Sequence, residues 1–307
     1  MLARLGHPYI LLGATALIWG ANAVAGKLAV GHVSPMLLTF LRWSIAVVVL
    51  LPFVRPHLKR DREALKGRFG YFLLIGLLGF TGFNSIFYLA LSYTSAIHAM
   101  IVQSSMPLVV FVGMFALFRA RTTALQVVGF GLTLIGVLLT AAHGEPATLL
   151  HLEVNRGDAL MLVAVLTFGA YTILLSRKPN VHWLSSIFLI SLVAALTSLP
   201  IAIAEAAMGY LQWPDAQGWA VVVFSVLLPS IISQSLYIRS IEMIGANRAN
   251  LFVNLVPIFG TLLAVAILGE PLYAYHVVAL TLVLGGIMLA EAGKRGQRLA
   301  NRPKPAR

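Results

Sequence analysis

Apolar runs of about 20 residues, parted by short polar segments, fill almost the whole chain. They fall at roughly 8–30, 34–54, 70–91, 95–118, 123–142, 157–176, 184–204, 217–238, 246–268 and 273–292. Each is long enough to cross about 30 Å of hydrocarbon. Backbone N–H and C=O groups find no water there, so runs of this length are predicted to be helices. The first run is long and lacks a signal-peptide cleavage site, and it reads as a helix as well. The pattern predicts an all-α membrane protein of ten transmembrane helices.

The pattern is also written twice. Ser95–Val137 reappears 150 positions later as Gly245–Ile287. Ala96 falls on Ala246, Ala99 on Ala249, Pro107 on Pro257, Leu134 on Leu284 and Gly136 on Gly286. Trp19–Gly20 falls on Phe168–Gly169 at nearly the same offset. Five runs per copy is an odd number, so the second copy enters the membrane from the opposite side. Such inverted repeats build alternating-access transporters, with the substrate near midplane between the halves. The predicted organisation is a first five-helix repeat over 1–148, an inverted second over 149–293, and a basic tail over 294–307.

Composition agrees: 59% of residues are hydrophobic, 10% are charged, and the mean hydropathy is +0.90. The net charge of +12 would suit nucleic acid, but its distribution does not. With the N-terminus placed in the cytoplasm, all of the 22 Lys and Arg except Lys27, Arg42 and Arg156 fall on the inner side. Glu145, Glu153, Asp158, Glu205, Asp215 and Glu270 fall in outer segments. This asymmetry puts both termini in the cytoplasm and the chain in a bacterial inner membrane. The tail from Lys294 reads as a disordered topology anchor that touches anionic lipid. The loops are short, and the longer ones are an inner basic loop at 55–69 and an outer one at 143–156. The absence of cysteine excludes disulfides and thiolate chemistry.

Four stretches carry a family likeness: WGANAVAGKLA (19–29), SPMLLTFLRWSIA (34–46), ALSYTSAIHAMIVQSSMPL (90–108) and VPIFGTLLAVAILGEPL (256–272). Together they resemble the EamA-type carriers of the drug/metabolite transporter superfamily, over nearly the whole chain. The resemblance implies two inverted five-helix halves that move small organic molecules, commonly exporting amino acids or related metabolites. Size, aromatic richness and a neutral core resemble the aromatic amino-acid exporter branch. One departure stands out: Gly269–Glu270–Pro271 has Arg119–Ala120–Arg121 as its first-half equivalent, so the two gates differ chemically.

Charge inside a membrane is costly and a functional candidate by default. Glu242, Glu270 and Glu291 sit at helix ends, and no acid lies at mid-depth. The related small multidrug antiporters use a buried glutamate that this chain lacks. Facilitated movement without proton coupling is therefore expected. His98 is the titratable group that would substitute, although a hydrogen-bonded interfacial histidine is the more ordinary reading. Arg42 lies about 12 Å along the second helix. It matches an arginine that recurs in that helix of the family. Snorkelling to headgroups is its leading reading, and a cavity charge for a substrate carboxylate is the alternative. Lys27 reads as snorkelling.

The uncharged polar residues repeat in symmetry-related places. Asn84, Phe87 and Tyr88 share one face of the third helix, and Gln234 and Tyr237 sit at the same offsets in the eighth. The fourth helix carries Gln103 and Pro107; the ninth carries Asn250, Asn254 and Pro257. Each proline frees a carbonyl near mid-helix, and paired interruptions point to a binding site with Pro107 and Pro257 as hinges. Any single amide also reads as interhelical glue, but the mirrored set favours a cavity. Asn22, Trp19, Phe83, Phe168 and Tyr171 complete the expected walls, where rings would stack and amides would take a carboxylate. Trp183, Trp213 and Trp219 read as interfacial belt residues. Gly129, Gly131, Gly136, Gly285 and Gly286 read as close packing within each half, or as a dimer face.

No zinc-protease, nucleophile-elbow or phosphate-loop motif occurs in the chain. The expected function is export of neutral or zwitterionic solutes, aromatic amino acids foremost. No ATPase, cofactor, metal or catalytic residue is expected. The expected partners are the solute and the bilayer, without nucleic acid, around a monomer. The alternatives are export of other metabolites or cationic drugs, or an intramembrane lipid flippase or enzyme.

Overall fold

The computed structural model describes residues 7–118, 123–145, 155–175, 178–244 and 252–300. Its helices are α1 (Pro8–Leu28), α2 (Pro35–Leu65), α3 (Phe69–Leu91), α4 (Ala96–Gln103, resuming as Met106–Phe118) and α5 (Ala124–Ala141). The second half gives α6 (Arg156–Leu175), α7 (Trp183–Ala207), α8 (Ala216–Ser240), α9 (Val256–Leu268) and α10 (Ala274–Ala300). Among the described residues nine spans are long and apolar enough to cross a membrane, and α9 is a shorter apolar helix. The fold is all-helical, as the apolar pattern predicts.

Local chemistry sets the helix starts. Pro8 and Pro35 open α1 and α2, where a missing N–H costs nothing. Ser95 caps α4, Asp215 caps α8, and Thr123 with Gln126 forms a capping box on α5. Two boundaries differ from the sequence reading. The α2 helix runs on to Leu65, so most of the supposed basic loop is helix. Likewise α10 continues to Ala300, into the segment expected to be disordered.

The alternating spans define two ends. The near end holds the start of α1 and the finish of α10. The far end holds the turns that follow α1, α3, α5, α7 and α9. Packing crosses between the halves at each major contact. The α1 helix lies against α8 and α9, α6 mirrors this against α3 and α4, α2 pairs with α7, and α5 pairs with α10. These exchanges are what a pseudo-twofold axis between inverted halves requires.

The glycines follow this rule rather than the expected packing within each half. A Cβ on Gly129 would overlap the Gly286 carbonyl, and one on Gly136 would meet the Ala279 carbonyl at 2.7 Å. Gly131 and Gly285 face open space. The outward faces carry Val48, Phe53, Phe69 and Leu196, all well exposed, as lipid contact demands.

Candidate substrate-binding site

Arg42 of α2 sits at the junction of α1, α2, α3 and α8 and is only 5% exposed. Its Nε donates to Ser230 Oγ at 2.8 Å. Its Nη1 donates to Asn84 Oδ1 at 3.1 Å, to Asn22 Oδ1 at 3.3 Å and to the Tyr88 hydroxyl. Tyr88 in turn donates to Asn22 Oδ1 at 3.4 Å. The guanidinium carbon lies 4.9 Å from the Trp43 ring centroid. No carboxylate pairs with Arg42 among the described residues. The side chain therefore does not snorkel; it is held inward by neutral groups. A buried cation without a counter-ion is costly, and an anion is the partner that would relieve it.

The backbone around this network is interrupted twice in each half. A π-helical segment spans Leu77–Gly82 in α3, and its counterpart spans Val226–Ile232 in α8. The irregular turns free carbonyls that side chains then take. Asn84 Nδ2 donates to Phe80 O at 2.7 Å, and Ser230 Oγ donates to Ser225 O at 2.8 Å. Such bulges gather at functional sites. The second interruption is a turn at 104–105 in α4 and at 254–255 before α9. Pro107 and Pro257 each fall at the second position of the segment that follows. They start a helix after a break rather than kink a continuous one.

The predicted site residues separate into groups. Asn22, Asn84 and Tyr88 join Arg42. Trp19 and Tyr237 face each other at 5.2 Å, and Trp19 Nε1 donates to Pro229 O at 3.4 Å. With Leu12, Thr15, Ala16, Phe252 and Val253 they line a crevice toward the near end that is too tight to hold a water molecule. Phe83, Phe168 and Tyr171 form a packed ring cluster between α3 and α6, with Phe83 and Phe168 at 4.8 Å and Phe168 and Tyr171 at 5.1 Å. Phe87 extends it toward Tyr88. This cluster is core packing rather than an open wall, because π faces bury against each other. Gln234 and Asn254 are half-buried. Gln103 leaves its buried Oε1 without a hydrogen bond. Asn250 lies outside the described residues. His98 stands apart, bonded to Asp158 and Tyr275 at the far end.

The two ends are not alike. At the far end, carboxylates of the second half sit on helix starts of the first. Glu205 accepts from Ser34 Oγ at 2.6 Å and from the amides of Met36 and Leu37 at 3.2 and 3.1 Å. Glu270 accepts from the amides of Ala96 and Ile97 at 2.7 and 3.0 Å. Unsatisfied N–H groups and the helix dipole favour a carboxylate at both places. Lys27 Nζ donates to Leu91 O and Thr94 O at 2.8 and 2.7 Å, closing the end of α3 instead of reaching for headgroups. His32 pairs with Asp215 at 2.7 Å. Asp158, which sequence places in an outer segment, is fully buried in the first turn of α6. Polar bonds thus tie the halves at the far end through Glu205, Glu270 and Asp215, and at the near end through Asp61 of α2, which accepts from the His182 amide at the start of α7 at 2.9 Å.

Ser230 and Phe252 escaped the sequence reading. Pro229 within an apolar run was the available signal for the first; Phe252 carried none beyond its apolarity.

Comparison with known proteins follows this geometry. The EamA-like transporter family model matches residues 7–142 and 155–291. The chain is 25% identical over 292 residues to the uncharacterized transporter YyaM of Bacillus subtilis (strain 168), covering 92% of each protein. It is 26% identical over 256 residues to the threonine/homoserine exporter RhtA of Salmonella typhimurium (strain SL1344), covering 81% of this chain and 79% of that one. A solved structure described only as "Crystal structure of protein" shares the fold at a TM-score of 0.63 and 21% identity, covering 94% of this chain and 98% of that one.

Proposed function

Because the chain belongs to the EamA-like transporter family, we propose that it carries small zwitterionic solutes, amino acids foremost, by alternating access between its inverted halves. One observation carries the substrate class: the buried guanidinium of Arg42 has only neutral partners. A carboxylate takes a two-pronged bond from an arginine and supplies the missing charge. The amide oxygens of Asn22 and Asn84 are then released to accept from the solute's ammonium group. No carboxylate faces Arg42 among the described residues, so a cationic drug has no favourable seat there.

Thr15, Trp19 and Asn22 share one face of α1. They join the Arg42 network to the near-end crevice, so the solute's side chain would lie between Trp19 and Tyr237. The two rings pack on each other at 5.2 Å here, and once parted their π faces would favour an aromatic side chain. The similarity to RhtA, named a threonine/homoserine exporter, favours a second reading with a small hydroxylated side chain. The near end is the cytoplasmic one on the distribution of Lys and Arg. The far end then faces outward, and export is the direction of use from a bacterial inner membrane.

The test is uptake of labelled tryptophan, phenylalanine, threonine and alanine into liposomes holding only this protein, with and without a pH gradient. Saturable aromatic uptake without the gradient, lost in Arg42→Ala, is the expected result. Preference for threonine would select the second reading. Unchanged uptake in Arg42→Ala would sink the carboxylate site.

A further inference from the structure

A second polar cluster lies at the far end, and nothing in the carrier reading uses it. Asp158 of α6 is fully buried, and His98 of α4 is 4% exposed. Asp158 Oδ2 lies 3.2 Å from His98 Nδ1, while its Oδ1 accepts from Thr94 Oγ1. His98 Nε2 lies 3.0 Å from the Tyr275 hydroxyl. His143, exposed just past α5 with φ 53°, brings its ring to 4.7 Å from that of His98. One donor atom each of His98, His143 and Asp158 lies within 4.8 Å of the others.

A fourth imidazole packs beside this group. His276 is 4% exposed, and its ring centroid is 5.1 Å from that of His98. Its Nδ1 accepts from the Tyr273 amide at 3.2 Å, which places the proton on Nε2. That Nε2 is buried and has no hydrogen-bond partner. Buried polar atoms without partners are uncommon and call for an explanation.

We propose that His98, His143 and Asp158 form a binding site for a divalent transition-metal ion of the zinc class. The donors are imidazole and carboxylate, the set such ions take in the absence of thiolates. Tetrahedral ligands about 2.0 Å from a metal stand about 3.3 Å apart. His98 Nδ1 and Asp158 Oδ2 already match that spacing at 3.2 Å. The outer shell is in place: His98 Nε2–H would donate to Tyr275, and Thr94 fixes the other carboxylate oxygen. Exposed His143 gives the ion its way in, and water completes the shell. The site joins α4 and α5 of one half to α6 of the other. Resting on the alternating-access reading, a bound ion would hold the far end shut.

The probe is Co²⁺ titrated into tag-free, chelator-stripped protein in detergent, followed by its visible ligand-field absorption, with Zn²⁺ as competitor. One saturable equivalent displaced by Zn²⁺ is expected, with affinity at least about tenfold weaker in His143→Ala. Zn²⁺ should raise the unfolding temperature of the parent protein but not of that variant. His143 is exposed, so its loss leaves the core intact; Asp158→Asn serves as the second variant. Absent saturation, or equal affinity in His143→Ala, would overturn the site. Stoichiometric binding with undiminished transport would overturn the clamp and leave the reading of the carrier untouched.

Discussion

On the proposed reading, Arg42 decides what the central site accepts. Its five N–H donors sit in a fixed fork, which a lysine ammonium cannot reproduce. Arg42→Lys is expected to weaken amino-acid binding about tenfold, and Arg42→Ala about a hundredfold, since charged hydrogen bonds contribute about 1.5–3 kcal/mol each. Binding to purified protein, read by intrinsic tryptophan fluorescence, checks both. Asn84→Ala removes one acceptor from Arg42 and one donor from Phe80 O, and a smaller loss of about fivefold is expected in the same assay. At this scale the sequence was half legible. Asn22, Asn84 and Tyr88 could be named because they repeat or share a face. The inward turn of Arg42 could not, because depth along a helix does not fix the direction a long side chain takes.

Elements give a different record. Among the described residues nine of the ten apolar runs translate into helices long enough to cross a membrane and the other into a shorter apolar one, since lipid leaves the backbone no other option. The paired π segments were illegible, because no residue type demands that register; only Pro229 and the glycines hinted at it. The α5–α10 contact depends on Gly129 and Gly286, each facing the other's carbonyl. Gly129→Ala is expected to cost about 1–3 kcal/mol through overpacking, whereas Gly131→Ala, on open space, should leave unfolding unchanged. Thermal unfolding in one detergent compares the two. At the start of α8, the Gly218 amide and then His32 hold the Asp215 carboxyl below its ordinary range. A depressed carboxyl contributes stability above its unfolded pKa and loses it as pH falls through the folded value. Asp215→Asn should therefore flatten the fall in unfolding temperature seen below about pH 4.

For the whole molecule, Glu205 and Glu270 are the carboxylates of the second half that sit on helix starts of the first at the far end. Glu205→Gln and Glu270→Gln keep shape but lose the charge seated on helix amides, and both should loosen the far end. The chain has no cysteine, so a single Ala96→Cys, fully buried at present, reports this without background. Reaction with a membrane-impermeant maleimide should be slow alone and at least about tenfold faster with Glu270→Gln, as a lost dipole interaction of up to about 2 kcal/mol allows. Equal rates would show that the carboxylate does not close the gate. The inverted repeat itself was legible from the 150-residue offset, whereas the cross-half pairing of every helix was not, since periodicity within a run does not say which half lies opposite. The unequal ends have a thermodynamic consequence. Two identical halves would make an unbiased switch, with both facing states equally populated. Here Asp61 near the end of α2 accepts from the His182 amide at the start of α7 at 2.9 Å and so answers Glu205, whereas the position 150 residues before Glu270 is Ala120. Moving such an equilibrium from 1:99 to 99:1 takes about 5.5 kcal/mol. The one unmatched helix-seated carboxylate, Glu270, at up to about 2 kcal/mol, supplies part of that bias. On the proposed alternating-access reading, the empty carrier then rests facing one way, and a solute must bind the rarer state more tightly to turn it.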